Sequence, residues 1–433
     1  MAVDAELIAA VDAVWRMPPP GPENLLSDPR FLALGEALTQ RHGGGKAPFA
    51  LSNALRGLGL PCAGRSGDRA AAGDPATIAA ALDIAFAATT TVRRHLCPLD
   101  FADELPAVSF GPARIGRFDA GDLESLFDRR RLDHVYPGRP ADFGRLSQLQ
   151  WLLVEETVTI DPRPEARAVP FLFERMDRDF GAFDPLARRY SAAVEQALFC
   201  LLLAPWEDWS TRLEVDWRGF RLPWVYTVTA DLAVQPAPPP DTSALGFEPV
   251  IYQDRWGEEI EDERPTVLPL KEGISDQFAR GVEDKWRKLE AVRTSDLFQT
   301  PVEHFAVRAY GSGGIDELLA HMTVLEAALG EEADHERKLR PKPDRTLGAT
   351  ERMARKVAGL LGDPSAAQAY RDLFNIRSLF VHGRVGLTTI STEQKVMARR
   401  LSRRVANALL DRAAAGAPAR PDLLAQVLVL GAP

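Results

Sequence analysis

The chain of 433 residues is poor in cysteine, with only Cys62, Cys97 and Cys200. An odd number with no CxxC pair argues against a disulfide framework and against a thiolate zinc site, and suits a reducing compartment. It also lacks an excess of positive charge, since 52 Lys and Arg face 61 Asp and Glu, a net charge of −9. That argues against a protein coated in basic charge for bulk nucleic-acid binding, though not against a local basic patch. Long apolar runs are missing as well. The most apolar stretch, ALFCLLLA from Ala197 to Ala204, is too short to span a bilayer. The opening segment MAVDAELIAAVDAVWRMPPPG has acidic residues and no basic region ahead of an apolar run, so it reads as a short helix stopped by prolines, not a secretory signal. A cytoplasmic protein with no membrane partner is expected. There is no HExxH, GxSxG or paired-carboxylate metal motif. HGGGK, His42 to Lys46, lacks the Ser or Thr after lysine and the preceding strand that a phosphate loop needs.

What is present supports real cores: 45% of residues are hydrophobic, and the length allows about three domains of roughly 150 residues. Residues 1–95 are Ala-rich with turn-forming breaks and predict short helices, one of them around Asp74 to Thr89. From about Leu105 the texture changes. AVSFGPARIGRF, WLLVEETVTI, RLEVDWRGF and WVYTVTADLAV carry β-branched and aromatic residues, the last with the two-residue alternation of a strand. LARRYSAAVEQALFCLLLA between them reads as a buried helix. QPAPPPDTS, Gln235 to Ser243, breaks the pattern, and a short extended region through PTVLPL follows.

From Ser275 the pattern is helical. Phe278, Val282, Trp286 and Leu289 share one helix face, as do Ile315, Leu318, Leu319, Met322, Leu325 and Leu329 of a helix stopped by glycine. ATERMARKVAGLLG, AYRDLFNIRSLFVHG and TEQKVMARRLSRRVANALL continue into a bundle of about five or six helices. The expected fold is therefore α+β. A helical N-terminal region (1–95) precedes a mixed α/β middle domain (96–270) and an all-α C-terminal bundle (271–433).

Basic charge collects in that bundle. Between Glu336 and Arg412 there are 17 Lys and Arg but 7 Asp and Glu, a net of +10 in a chain of −9. Arg399, Arg400, Arg403 and Arg404 form a stripe suited either to phosphate or to solvated helix faces. The same segment holds FNIRSLFVHG, with Arg377 five positions before His382. Such spacing alone is a weak signal, with roughly two matches expected by chance in a chain this rich in arginine. The other match, RRLDH into His134, lies in a charged, turn-like region and is read as accidental. Around Arg377 the helix has a broad apolar arc of Tyr370, Leu373, Phe374, Ile376, Phe380 and Val381, and the guanidinium falls inside it. A cation there needs a carboxylate such as Glu326 on a neighbouring helix, a phosphate or a subunit interface. An ideal helix separates Arg377 from His382 by about 140°, so they converge only if the helix ends at His382, with Gly383 as its stop. His382 could otherwise serve simply as a cap favouring the negative helix end.

RSLFVHG at a helix end, in this setting, resembles the HEPN superfamily and in particular its ApeA-like group. HFAVRAYGSGGIDELLAHMTVLEAALG, ATERMARKVAGLLG and YRDLFNIRSLFVHG look like successive helices of that group, over roughly Ser275 to Leu410. Where active members often carry Asn, Asp or His after the motif arginine, this chain has Ser378.

The resemblance implies a metal-independent ribonuclease without cofactors, working as a homodimer on RNA, in bacterial antiviral defence or a toxin-like system. It assigns His382 as general acid/base and Arg377 as the clamp on the phosphate transition state. Ser378 and Asn375 would orient them, and Arg371 would be an auxiliary phosphate contact. Residues 1–270 would sense a trigger or hold the nuclease silent. The alternative is a non-catalytic HEPN module for dimerisation or for binding nucleotide or RNA.

Overall fold

The computed structural model describes residues 4–19, 21, 23–43, 45–63, 73–172, 179, 181–211, 218–339, 346–382 and 389–432. The chain is mixed, with helices toward both ends and antiparallel strands in the middle. Its first half runs α1 (Ala5–Trp15), α2 (Pro29–His42), α3 (Pro48–Gly57), α4 (Pro75–Ala87), β1 (Thr90–Leu99), β2 (Val108–Phe110), β3 (Ala113–Gly116), α5 (Ala120–Leu126), α6 (Arg129–Val135), α7 (Phe143–Leu146), β4 (Gln150–Thr159), α8 (Pro164–Ala168), α9 (Ala192–Leu202) and α10 (Trp206–Trp209). Then come β5 (Tyr226–Thr229), β6 (Phe247–Gln253), β7 (Glu259–Pro265), α11 (Ile274–Val292), α12 (Val302–Tyr310), α13 (Gly314–Leu329), α14 (Glu332–His335), α15 (Ala349–Leu361), α16 (Ser365–Val381), α17 (Thr392–Ala414) and α18 (Arg420–Leu430). Two compact units emerge. One joins Met1–Pro98, Arg117–Ala182 and Pro223–Leu245, and the other joins Leu99–Gly116, Phe183–Leu222 and Gly246–Pro433.

In the first unit α1 to α4 close over a core of Leu7, Val11, Phe31, Leu34, Leu55, Ile78 and Leu82. Asp4, Asp28 and Asp74 cap α1, α2 and α4 by accepting backbone N–H bonds, the role short acids serve at helix starts. α3 has no such cap of its own. Glu165 of α8 fills in, accepting from the N–H groups of Phe49 and Ala50 at 3.2 and 3.0 Å. The sheet of this unit places β1 between β4 and β5, with Arg93 opposite Thr229 and Leu96 opposite Tyr226. β1 was expected to be part of a helical region. Its sequence, TTVRRHLCPL, hides a strand because Arg93, Arg94 and His95 obscure the apolar alternation. His95 is nonetheless buried, 2.9 Å from the Thr227 hydroxyl and 3.0 Å from Glu156. RRLDH, expected as a turn, is helix α6. Its His134 is 3.0 Å from the Gly57 carbonyl, and Arg129 pairs with Asp133 at 3.3 Å.

In the second unit β2 and β3 form a tight hairpin. Gly111 at its turn has φ 51°, and a Cβ there would come within 2.1 Å of Trp286, so only glycine fits. Phe278, Val282, Trp286 and Leu289, the seam read from the sequence, are all buried along α11, each such side chain stabilising by about 1.5–3 kcal/mol. α13 packs on α12 and α17, and α15 packs on α16 and α18. α15 and α18 approach so closely that a Cβ at Gly359 would sit 1.9 Å from the Val427 carbonyl oxygen. α18 escaped the sequence reading, while the extended region expected through PTVLPL holds the exposed β6–β7 hairpin. Most of RLEVDWRGF, residues 212–217, lies outside the described residues, as does Gly44 of HGGGK. Among the described residues no helix is long and apolar enough to cross a membrane.

Candidate active site

α16 buries Ala366, Ala367, Tyr370, Leu373 and Ile376 against its neighbours. These positions recur every three or four residues, and that stripe fixes which way the rest of the helix points. Arg377 lies at the edge of the stripe. Its Nη1 donates to Oε1 of Glu326 on α13 at 3.0 Å, and the two side chains are 36% and 33% exposed. Its guanidinium carbon is 5.8 Å from the Phe374 ring centre. The carboxylate partner expected from the apolar arc is thus present.

α16 ends at Val381, and His382 is its C-cap, with φ −92° and ψ 9°. The His382 N–H reaches the Ser378 carbonyl at 3.1 Å, while its side chain is exposed. Gly383, read as the stop, lies outside the described residues. Five residues along an ideal helix amount to about 7.5 Å of rise and 140° of turn. α16 does stop with His382 as its cap, the condition set for convergence, but ideal helix geometry up to that point still directs the two side chains apart within one chain. Phe380 and Val381 beside them are exposed apolar side chains.

The supporting residues are not drawn in. Asn375 is exposed and Ser378 half-buried, and neither side chain bonds to Arg377 or His382. Arg371 faces Glu351 on α15 instead, through a two-pronged contact of 3.0 and 3.1 Å. That contact holds the Glu351 carboxyl below its usual range and raises Arg371.

The arginine stripe of α17 is also committed within the unit. Arg399 is buried and donates to Glu317 at 2.7 Å. Arg400 meets Asp208 at 2.6 Å. Arg403 binds Glu207 through Nε at 2.9 Å and Asp208 through Nη2 at 3.0 Å, and Arg404 meets Asp363 at 2.8 Å. None of this is visible in the local charge count, because most of the acids come from other segments.

Three buried features went unread. Arg352 and Lys356 of α15 share Glu331 and Asp334, with contacts of 2.7–2.8 Å. His321 is buried in a cavity of about 50 Å³ lined by Arg218, Arg399, Ser402 and Arg403. Its Nδ1 is 2.8 Å from the Ser402 hydroxyl, and burial first, then Arg399 and Arg218, push the imidazole down to about 3. Glu195 and His304 line a larger cavity of about 270 Å³. Two of these were signalled by charge at helical spacing inside an apolar pattern, Glu317 with His321 and Arg352 with Lys356. Comparison of the chain with models of protein families, with curated proteins and with solved structures gave no match.

Proposed function

We propose that this chain is a metal-independent endoribonuclease of the ApeA-like HEPN type. It would act on RNA in the cytoplasm as a homodimer through its C-terminal helices. One observation carries the reading: His382 stands exposed at the end of α16, just beyond a guanidinium, Arg377, that solvent still reaches.

The chemistry follows from the side chains. Cutting RNA without a metal requires a proton taken from the 2′-hydroxyl and one delivered to the leaving 5′-oxygen. Imidazole suits both tasks because it titrates near neutrality. Arg377 would hold two oxygens of the phosphate as negative charge grows on it. Its pair with Glu326 is exposed enough that a phosphate can replace the carboxylate at little cost. Because Arg377 and His382 diverge within one chain, the constellation would be completed by a second copy, and the exposed Phe380 and Val381 would be covered there. The stripe Arg399, Arg400, Arg403 and Arg404 would bind RNA only by trading its carboxylates for phosphates, so it contributes less than its charge suggests. An antiviral or toxin-like role, with residues 1–270 as sensor, is part of this proposal through the resemblance alone.

A non-catalytic HEPN module is the second reading, favoured by the Arg377–Glu326 pair. Incubation with structured RNA in EDTA separates the two. The nuclease reading expects products with 2′,3′-cyclic phosphate and 5′-hydroxyl ends, no cleavage of DNA, and a loss of about 10²–10⁴-fold in rate for His382→Ala with the dimer intact. Equal RNA degradation by the native protein and His382→Ala would overturn it.

A further inference from the structure

We propose that the cavity between α9 and α12 binds a small phosphorylated, hydroxyl-bearing molecule of sugar-phosphate size. This site stands apart from Arg377 and His382 and does not depend on their role.

The cavity is lined by polar groups that the fold leaves unused. The side chain of Glu195, in the first turn of α9, is 3% exposed. Its Oε1 accepts from the backbone N–H groups of Arg189 and Tyr190 at 3.0 and 3.4 Å. Its Oε2 is buried with no hydrogen-bond partner among the described residues. The nearest basic side chains stop short of it, Arg188 Nε at 3.7 Å and His304 Nδ1 at 4.0 Å. Both ring nitrogens of His304 are likewise buried and unpartnered among the described residues, in a side chain 13% exposed. Leaving a buried polar atom unpaired costs about 1–3 kcal/mol, and native interiors rarely leave several together. Here three such atoms belong to two residues that line one cavity of about 270 Å³.

The rim decides the sign of the ligand. Arg188, Arg189 and Arg308 line the same space, against the single carboxylate of Glu195. Three guanidinium groups against one carboxylate favour an anion. Arg189 is held in place, with Nη1 reaching the Gly311 carbonyl at 3.4 Å and its guanidinium carbon 5.3 Å from the Tyr190 ring centre. Guanidinium groups match phosphate oxygens in pairs. Glu195 Oε2 can only accept, so the ligand must also donate, as a hydroxyl does. His304 can donate to the phosphate through one nitrogen and accept from a hydroxyl through the other. The volume of about 270 Å³ falls just below the range of about 300–1,000 Å³ typical for larger ligands, so a phosphorylated sugar fills it and a dinucleotide would extend beyond it.

The test is calorimetric titration of the full chain with ribose 5-phosphate, inorganic phosphate and ribose as separate probes. Ribose 5-phosphate should bind most tightly, phosphate more weakly and ribose not at all. Arg188→Ala and Arg308→Ala should each lower the affinity for both phosphate probes by about tenfold. Glu195→Gln keeps the oxygen that accepts from Arg189 and Tyr190 and replaces the bare one with a donor. It should weaken ribose 5-phosphate and leave inorganic phosphate unchanged. Should Glu195→Gln fail to fold, the exposed Arg308 still decides the matter. Absence of heat from ribose 5-phosphate and phosphate up to about 10 mM, or affinities unmoved by both arginine replacements, would overturn the proposal.

Discussion

Arg352 and Arg377 belong to the same unit, and each faces a carboxylate at about hydrogen-bonding distance. Arg352 is 2% exposed, and its partners Glu331 and Asp334 also hold the fully buried Lys356. Arg377 is 36% exposed and meets Glu326. The contact lengths are nearly equal, 2.8 and 3.0 Å, so distance does not distinguish them. Water does. Glu331 is 29% exposed, but Asp334 is as sealed as Arg352, and water cannot replace a partner lost there, whereas an exposed pair contributes only about 0–1 kcal/mol. The first arginine is a fastening of the fold. The second is free to exchange its carboxylate for an incoming anion.

The most forceful way to break this contrast is Asp334→Ala, which leaves Arg352 and Lys356 to share Glu331 as their one remaining carboxylate among the described residues. Urea unfolding followed by circular dichroism should show a loss of about 3–5 kcal/mol. A loss under about 1 kcal/mol would mean that water reaches the cluster and that the two arginines are alike.

His321 extends the contrast to a group that can escape its charge. The folded imidazole is pushed down to about 3, from 6.5 when unfolded. Above 6.5 both states are neutral and the contribution to stability is complete. As pH falls below 6.5 the unfolded chain takes a proton that the folded one refuses, and stability declines until pH nears 3. At pH 5 this single group should cost about 2 kcal/mol. The stability of His321→Gln should therefore fall less between pH 7 and pH 5, by about that amount. Equal slopes for the two proteins would show that the imidazole is open to water.

The smallest effect is expected at the exposed end. Glu326→Gln should change stability by less than about 1 kcal/mol, and RNA affinity should hold or rise, since Arg377 loses a competitor. A stability loss above about 2 kcal/mol in urea unfolding would make Arg377 a fastening too and remove the ground for the catalytic role proposed for it.

Local pattern made much of this legible. The helical seam of Phe278, Val282, Trp286 and Leu289 needs only spacing, and the need of Arg377 for a carboxylate, a phosphate or a subunit interface follows from its place inside an apolar arc. β1 was not legible, because the burial of His95 depends on Thr227, 132 residues away. The arginine stripe misled for the same reason. Its count saw cations on one helix, while Glu207 waits 196 residues before Arg403. Glu195 and His304 carry no motif at all, and their chemistry is their shared cavity.

By itself the sequence determined the helices from α11 to α17 that carry a clear apolar seam, the faces that seam buries, and that a guanidinium and an imidazole lie toward the end of α16. Those outcomes depend on neighbours a few positions apart. Tertiary structure alone decided which cations are neutralised, which polar atoms are sealed without partners and which remain open to water. Charge pairing and desolvation act through space over a few ångströms, and the groups they join can lie as far apart in sequence as Glu207 and Arg403.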